Sequence, residues 1–289
     1  MRLSVLHRTV YTYLQPVTDS VNEARLQPRT DPFQTCLEFH FHTVPSSSAN
    51  IFQDFYRNTV HVFEVAEPHR KLLIESRSLV ETHAPPLPPE DRVIPFDLLK
   101  RSAWDMACYE FLQATEFVSC DVAAWRLAVD LAPDRRDVRE TALSLMRGVH
   151  REFEYCQEST QVHTHMSEVL QFRRGVCQDF AHVYLGLCRS LGIPARYVSG
   201  YLFTNPGPGA LRGTEASHAW CEVHLPGWGW LGLDPTNNQP VDERYIRVAL
   251  GRDYHDVPPT RGTYRGPDLR EMQVDVSVRQ ADDGGSVRG

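Results

Sequence analysis

The sequence predicts an α+β protein in which a strand-rich first hundred residues precede a region of mixed helices and antiparallel strands. Three observations carry this reading. Period-two alternation recurs through residues 1–82, helical periodicity begins only beyond a proline-rich stretch at Ala84–Asp91, and one helix followed by several strands fills the segment from Cys177 to Leu233.

The elements follow in order. The 289 residues allow one large domain or two ordinary ones, with a sizeable core in either case. Leu3, Val5 and His7 alternate with Arg2, Ser4 and Leu6, and Thr9, Tyr11 and Tyr13 continue the strand. Leu37–Val44, Asn58–Val65 and Lys71–Thr82 alternate likewise, with turn formers between them at Pro28–Pro32, Pro45–Asn50 and Pro68. That spacing predicts a β-sandwich-like N-terminal domain over residues 1–100. The segment A-P-P-L-P-P-E-D (Ala84–Asp91) reads as a stiff boundary, or as a long loop within one domain. Beyond it, Val122, Trp125, Leu127, Ala128 and Leu131 can share a helix face. Pro133 ends that run, and Asp134 is placed to cap a helix from Arg136 to Phe153. A short turn of helix is expected at Ser167–Phe172 and a longer helix at Cys177–Leu191, closed by Gly192 and Pro194. Strands are expected at Ala195–Phe203, His218–His224, Gly229–Leu233 and Gln273–Val278, a glycine- and proline-rich loop at Asn205–Gly209, and a disordered tail at 281–289.

Composition excludes several classes. Apolar residues make up 42% and charged residues 23%, with a formal charge of -7, so neither a disordered chain nor a basic nucleic-acid footprint is expected. The basic pairs Arg135-Arg136 and Arg173-Arg174 read as solvated surface. Seven cysteines stand at irregular spacings with no C-x-x-C pair, which argues against a disulfide framework or zinc knuckle and for free thiols in a reducing compartment. The N-terminus alternates rather than forming the apolar core of a signal peptide, and no apolar run approaches the ~18 residues needed to span a bilayer. A soluble cytoplasmic protein with no nucleic-acid or membrane partner is the expectation; the oligomeric state is left open. His163 and His165 lack a nearby third ligand and no calcium-loop pattern occurs, so no metal or other cofactor is expected.

The chemistry centres on one cysteine. Free thiols are mostly protonated at neutral pH; those at a helix N-terminus beside an imidazolium are held largely as thiolate. Cys177 follows Gly175 and Val176 and opens an apolar-periodic helix with Phe180, Tyr184, Leu187 and Leu191 on its inward side. Gly175 reads as room for a substrate backbone. Cys36, Cys108, Cys120, Cys156, Cys188 and Cys221 read as small buried apolar residues. His218 opens a strand in S-H-A-W-C-E-V-H-L-P, with Trp220, Glu222 and His224 on its side, and can serve as general base toward the thiol and general acid toward a leaving group. Asp234 ends the next strand in G-W-L-G-L-D-P-T. If those strands are antiparallel neighbours, it comes beside the imidazole and fixes its tautomer. Each residue alone has a bland reading: a core thiol, a surface imidazole, a turn aspartate. Their order within 58 residues, counted from 177 to 234, is what points to a nucleophile, base and orienting acid.

These same segments, G-V-C-Q-D-F-A-H (Gly175–His182), G-I-P-A-R-Y-V-S-G-Y (Gly192–Tyr201), S-H-A-W (Ser217–Trp220), G-W-L-G-L-D-P-T-N-N (Gly229–Asn238) and G-R-D-Y-H-D-V-P-P (Gly251–Pro259), resemble the bacterial transglutaminase-like family, and D-F-Y-R-N-T-V (Asp54–Val60) resembles that family's N-terminal β domain. The resemblance implies a papain-like core over residues 101–280, in which the helix carrying the nucleophile packs on an antiparallel sheet, and a triad of Cys177, His218 and Asp234. It also implies an oxyanion hole built from the Cys177 N–H and a second donor, for which Tyr155 and Gln178 are candidates. Trp220, Trp228 and Trp230 are candidates for a substrate wall, Asp179 and His182 for helix anchoring, and Arg252, Asp253, Tyr254 and Asp256 for a polar buttress. The activity implied is acyl transfer from a peptide or glutamine-type amide through a thioester, to an amine. Hydrolysis of the same bonds, as by a cysteine protease or amidase, is the alternative. A non-enzymatic peptide-binding scaffold and a metal-dependent hydrolase stand further off. The partner in every enzymatic case is a protein or peptide substrate.

Overall fold

The computed structural model describes residues 1–102, 105–156, 164–204, 211–212 and 217–281. The N-terminal strands are β1 (Arg2–Ala24), β2 (Gln34–Val44), β3 (Asn50–Gln53), β4 (Thr59–Val65) and β5 (His69–Thr82). Two single-turn helices, α1 (Leu99–Ser102) and α2 (Met106–Tyr109), lead to α3 (Val122–Leu131) and α4 (Val138–Glu152). Then come β6 (Glu154–Tyr155), α5 (Met166–Phe172), β7 (Arg174–Gly175) and α6 (Cys177–Ser190). The chain closes with β8 (Ala195–Leu202), β9 (His218–Leu225), β10 (Gly229–Asp234), β11 (Gln239–Pro240), β12 (Tyr245–Gly251), β13 (Thr260–Arg265) and β14 (Leu269–Gln280).

Strand β1 organises the first sheet, whose order is β2-β5-β1-β4-β3, with β13 and β14 also pairing to β1. Its first half pairs antiparallel with β5 and β14 and its second half with β4 and β13, and the register slips between them near Thr12–Thr18. A bulge of this kind bends a strand, and the bend lets one strand serve two layers. Tyr13, Val17, Phe63, Val65, Leu72 and Ile74 fill the space between those layers, which is the sandwich-like core expected. The alternation read in the sequence holds: Leu3, Val5, His7 and Thr9 all point inward. Strand β13 was not expected, and the expected strand at Gln273–Val278 is the middle of β14. Both belong to the N-terminal sheet, so the stretch assigned to a separate region at 101–280 ends on strands that return to β1.

The second sheet, β11-β10-β9-β8-β12, is antiparallel throughout. One face receives α6. Phe180, Val183, Tyr184, Leu187 and Cys188 from the helix pack with Ala195, Tyr197, Ala219, Cys221 and Val223 from the strands, all essentially sealed from solvent. Tyr201, Phe203, Ile246 and Val248 at the β8 and β12 side of this sheet meet Leu3, Val5, Val80 and Val276 of the first sheet, an apolar seam between the two halves. At ~25 cal/mol per Å² of buried apolar surface, such a seam makes independent motion of the halves unfavourable. Arg189, buried near the helix end, donates to the carbonyls of Ala195, Gln113 and Arg252, so the C-terminus of α6 is fixed to its surroundings.

Three local expectations are corrected. The cap of α4 is Asp137, not Asp134: its carboxylate accepts from Glu140 N at 3.1 Å and from Ile94 N at 3.1 Å, whereas Asp134 is engaged by Arg136 at the surface. Helix α3 buries Ala124 and Ala128, while Val122 and Trp125 are exposed; small residues let α3 lie close to the central helix, and the large ones turn outward. Cys120 is exposed rather than core, and Cys36 and Cys156 are only half-buried; all seven cysteines are free. The loop expected at Asn205–Gly209, His163 and the tail from 282 lie outside the described residues. Among the described residues no helix is long and apolar enough to cross a membrane.

Candidate active site

The site is built where α6 begins. The two-residue strands β6 and β7 pair in parallel, setting Tyr155 opposite Gly175, and Cys156 N donates to Gly175 O at 2.9 Å. The chain then turns into α6 at Cys177, with Asp179 reaching back to accept from Val176 N at 2.8 Å. A Cβ on Gly175 would lie 2.6 Å from Asp179 Cβ. The glycine therefore makes room for the capping carboxylate, not for a substrate backbone as the sequence suggested. Cys177 is half-buried, in the first turn of a helix whose leading N–H groups have no intrahelical acceptor and which carries partial positive charge at this end.

The strands deliver the other two groups. Leu233 pairs with Cys221 across β10 and β9, so Asp234 comes alongside the start of β9, and His218 Nε2 lies 2.8 Å from Asp234 Oδ2 with both side chains fully buried. Asp234 is saturated: Oδ1 accepts from Thr236 N at 2.8 Å and Asn237 N at 3.2 Å, and Oδ2 from Asn237 Nδ2 and the Tyr245 hydroxyl, each at 2.8 Å, besides His218. Burial alone would raise the Asp234 pKa; the charge of His218 and these hydrogen bonds hold it below the usual carboxylate value. Burial alone would likewise lower the His218 pKa, but the Asp234 carboxylate and then the nearby Cys177 sulfur override it and raise the imidazole to about 10. The remaining ring nitrogen, Nδ1, is buried, and the Cys177 sulfur is the neighbour that helps keep the ring protonated.

The other residues singled out in the sequence divide. Tyr155 is half-buried beside the helix start, edge-on to Phe180 at 6.2 Å, and Gln178 is the half-buried neighbour of Cys177. Trp220 is wholly buried: it packs 6.0 Å behind the His218 ring and edge-on to Tyr245 at 5.2 Å. A ring sealed from solvent cannot line a substrate wall, and its place is to back the imidazole. Trp230 sits at the far end of β9 and β10, under the Arg196 guanidinium at 4.1 Å, and Trp228 packs with Arg92, so neither approaches His218. His182 anchors α6 as expected: it is buried, lies flat on Phe117 and accepts from Tyr254 N at 3.2 Å, and burial pushes its pKa down to about 3. Asp253 accepts from His255 N at 2.9 Å and Arg252 pairs with Asp256 at 2.9 Å, so these polar residues chiefly brace their own turn. His165 caps α5 through Ser167 N, and among the described residues no group of side chains is arranged to hold a metal ion. A cavity of about 890 Å³ between Leu87–Val93, α4 and Pro240 includes none of Cys177, His218 or Asp234.

Sequence reasoning missed Tyr245 and Asn237. Tyr245 lies on β12, and its hydroxyl is held by Gln239 Nε2 at 2.7 Å while donating to Asp234. Asn237 follows the acid by three residues, and D-P-T-N carries a signal that could have found it, since an aspartate accepting from the N–H groups two and three residues on is an Asx-turn.

Comparison with known proteins agrees with this geometry. The Transglutaminase-like superfamily model matches residues 126–235, a span that includes Cys177, His218 and Asp234, and the Bacterial transglutaminase-like N-terminal region model matches residues 3–81. The chain belongs to the transglutaminase-like superfamily. Its relatives include an uncharacterised protein of Mycobacterium leprae, 36% identical over 96% of this chain and 98% of that one. An uncharacterised protein of Mycobacterium tuberculosis is 37% identical over 96% of this chain and 92% of its own. The protein-glutamine gamma-glutamyltransferase of Pseudomonas aeruginosa is 34% identical over 35% of this chain and 17% of its own length. Among solved structures, a candidate cysteine protease from Cytophaga hutchinsonii superposes with a TM-score of 0.75 over 98% of this chain and 92% of its own, at 21% identity, which shows the shared fold. The two models thus fall on different halves of the molecule, one on the N-terminal sheet and the other on the helix-on-sheet core.

Proposed function

We propose that this transglutaminase-like protein is a cysteine-dependent acyl-transfer enzyme acting on glutamine-type carboxamides or peptide bonds, with Cys177 as nucleophile, His218 as base and acid, and Asp234 as the orienting carboxylate. The observation that carries the reading is the buried His218–Asp234 pair, 2.8 Å apart, whose imidazole is coupled in turn to the sulfur that opens α6. His218 takes the thiol proton and the Cys177 sulfur attacks the carbonyl carbon. The oxyanion so formed is met by N–H donors of the helix start, the Cys177 N–H first among them. The C–N bond then breaks, with the His218 proton leaving on ammonia or an amine, and a thioester remains on Cys177. A primary amine attacks that thioester, its proton passes to His218, and the C–S bond breaks to give a new amide. The kinship of the core segment with a protein-glutamine gamma-glutamyltransferase supports an amine acceptor; water in the same position gives hydrolysis.

Two measurements test this. With iodoacetamide near neutral pH, Cys177 is expected to alkylate fastest of the seven cysteines, and His218→Ala should abolish that advantage; uniformly slow labelling would remove the enzyme reading. Given a glutamine-containing peptide and a primary amine, the protein should incorporate the amine, whereas ammonia release with no incorporation would replace transfer by hydrolysis.

A further inference from the structure

From the placement of Arg212 we infer that the site selects acyl donors carrying a carboxylate beside the reacting carbonyl; this deepens the acyl-transfer reading and rests on it. Arg212 lies in the connection between β8 and β9, and its backbone is fixed on both sides by one residue of the site. Its N–H donates to Asn237 Oδ1 at 2.8 Å, and Asn237 Nδ2 donates back to Arg212 O at 3.2 Å. That same Nδ2 donates to Asp234 Oδ2 at 2.8 Å. The guanidinium extends away from this anchor to lie 5.5 Å over the ring of Tyr155, which pairs with Gly175 two residues before the nucleophile. Arg212 therefore bridges the two sides of the site, with its backbone tied to the acid's turn and its cation beside the helix that carries Cys177.

The charge is exposed. Among the described residues no carboxylate pairs with Arg212. The nearby acids are committed elsewhere, Asp234 to His218 and its turn and Asp179 to Val176 N. A guanidinium over a ring face can keep its N–H edge free, and arginine binds a carboxylate through two parallel hydrogen bonds along that edge. The carboxylate recognised is an acidic side chain next to the reacting residue or a chain-terminal carboxylate; both present the same two oxygens.

Because the pair forms at an exposed mouth, its effect is modest, about fivefold in affinity at low salt and weaker as ionic strength rises. The test is binding of fluorescent peptides to the full chain carrying Cys177→Ala, which keeps the fold and removes turnover. Peptides with Glu beside the target glutamine are compared with their Gln isosteres, and free C-termini with amidated ones. The anionic member of one pair should bind about fivefold tighter, which identifies the carboxylate source. Adding Arg212→Gln should erase the difference while leaving the neutral peptide's affinity within about twofold, and Arg212→Lys should restore only part of it. Equal binding within both pairs, a preference that survives Arg212→Gln, or no saturable binding of any carboxylate peptide up to millimolar concentration would each overturn the inference. Failure of the acyl-transfer reading shows separately, as absence of acylation at Cys177 in the unsubstituted protein, and does not alter the binding result.

Discussion

The substitution Tyr245→Phe isolates one hydroxyl in a site otherwise left intact. The ring is buried and edge-on to Trp220 at 5.2 Å, and a phenylalanine ring keeps that packing. What disappears is the hydrogen bond from the hydroxyl to Asp234 Oδ2 at 2.8 Å. A hydrogen bond to a charged partner contributes about 1.5–3 kcal/mol. Asp234 retains Thr236 N, both donors of Asn237 and His218, and the half-buried Gln239 amide can turn to water, so a loss near the lower end, about 1.5–2 kcal/mol, is expected. For a chain of this size that corresponds to a drop of about 3–8 °C in melting temperature. The Asp234 pKa is depressed in the folded state, so its contribution is present above the unfolded value near 3.9 and lost as pH falls through the folded one. Removing a donor raises the folded pKa, and acid unfolding should begin at a higher pH. Urea unfolding at neutral pH and an acid titration followed by circular dichroism measure both effects. Gln239→Ala combined with Tyr245→Phe should add little to the single change, because Gln239 acts on Asp234 through the lost hydroxyl. A loss below about 0.5 kcal/mol with an unmoved acid midpoint would refute the view that Asp234 depends on its full set of donors.

Two further perturbations probe the same structure. His218 is raised to about 10 when folded, so the stability from its pairing with Asp234 is complete below about 6.5 and lost as pH rises through about 10; urea midpoints should fall across that window in the wild type and be flatter in His218→Gln, and equal slopes would contradict the pairing. A Cβ on Gly200 would stand 2.0 Å from Ile246 O and 2.5 Å from Trp220 Cη2, and one of these is backbone that cannot turn aside. Gly200→Ala should therefore cost about 3 kcal/mol or more by urea unfolding, and a change under about 1 kcal/mol would show that β12 can yield.

Much of this architecture was legible because it rests on periodicity. Leu3, Val5, His7 and Thr9 alternate and are buried, and the helix opened by Cys177 runs to Ser190, one residue short of the expected end. What escaped rests on contacts between distant segments. Strand β13 reads T-R-G-T-Y-R and shows no alternation because its side chains are largely exposed; only its pairing with β1 makes it a strand. Asp134 and Asp137 are equally good caps by local chemistry, and the choice falls to Asp137 because Ile94, 43 residues upstream, supplies a second donor. The face of α3 was misread for a related reason, since size marks Trp125 as core while close helix packing selects Ala124 and Ala128.

The acid of the site shows where a structural reading and a functional one coincide. D-P-T-N invites interpretation as a turn, and a turn it is, with Asp234 Oδ1 accepting the N–H groups of Thr236 and Asn237. Those donors stabilise the ionised carboxylate at a position with no exposure to water, where an unaided carboxyl would take up a proton. An ionised Asp234 in turn holds the buried imidazole in its charged form against desolvation, with Nε2–H committed to the carboxylate and Nδ1 left on the side of the sulfur. The turn therefore sets the charge of the acid: removing its backbone donors would raise the Asp234 pKa and weaken its hold on the imidazole. The antiparallel register of β9 and β10 places the turn beside His218, and the packing of α6 on the same sheet brings Cys177 near the imidazole.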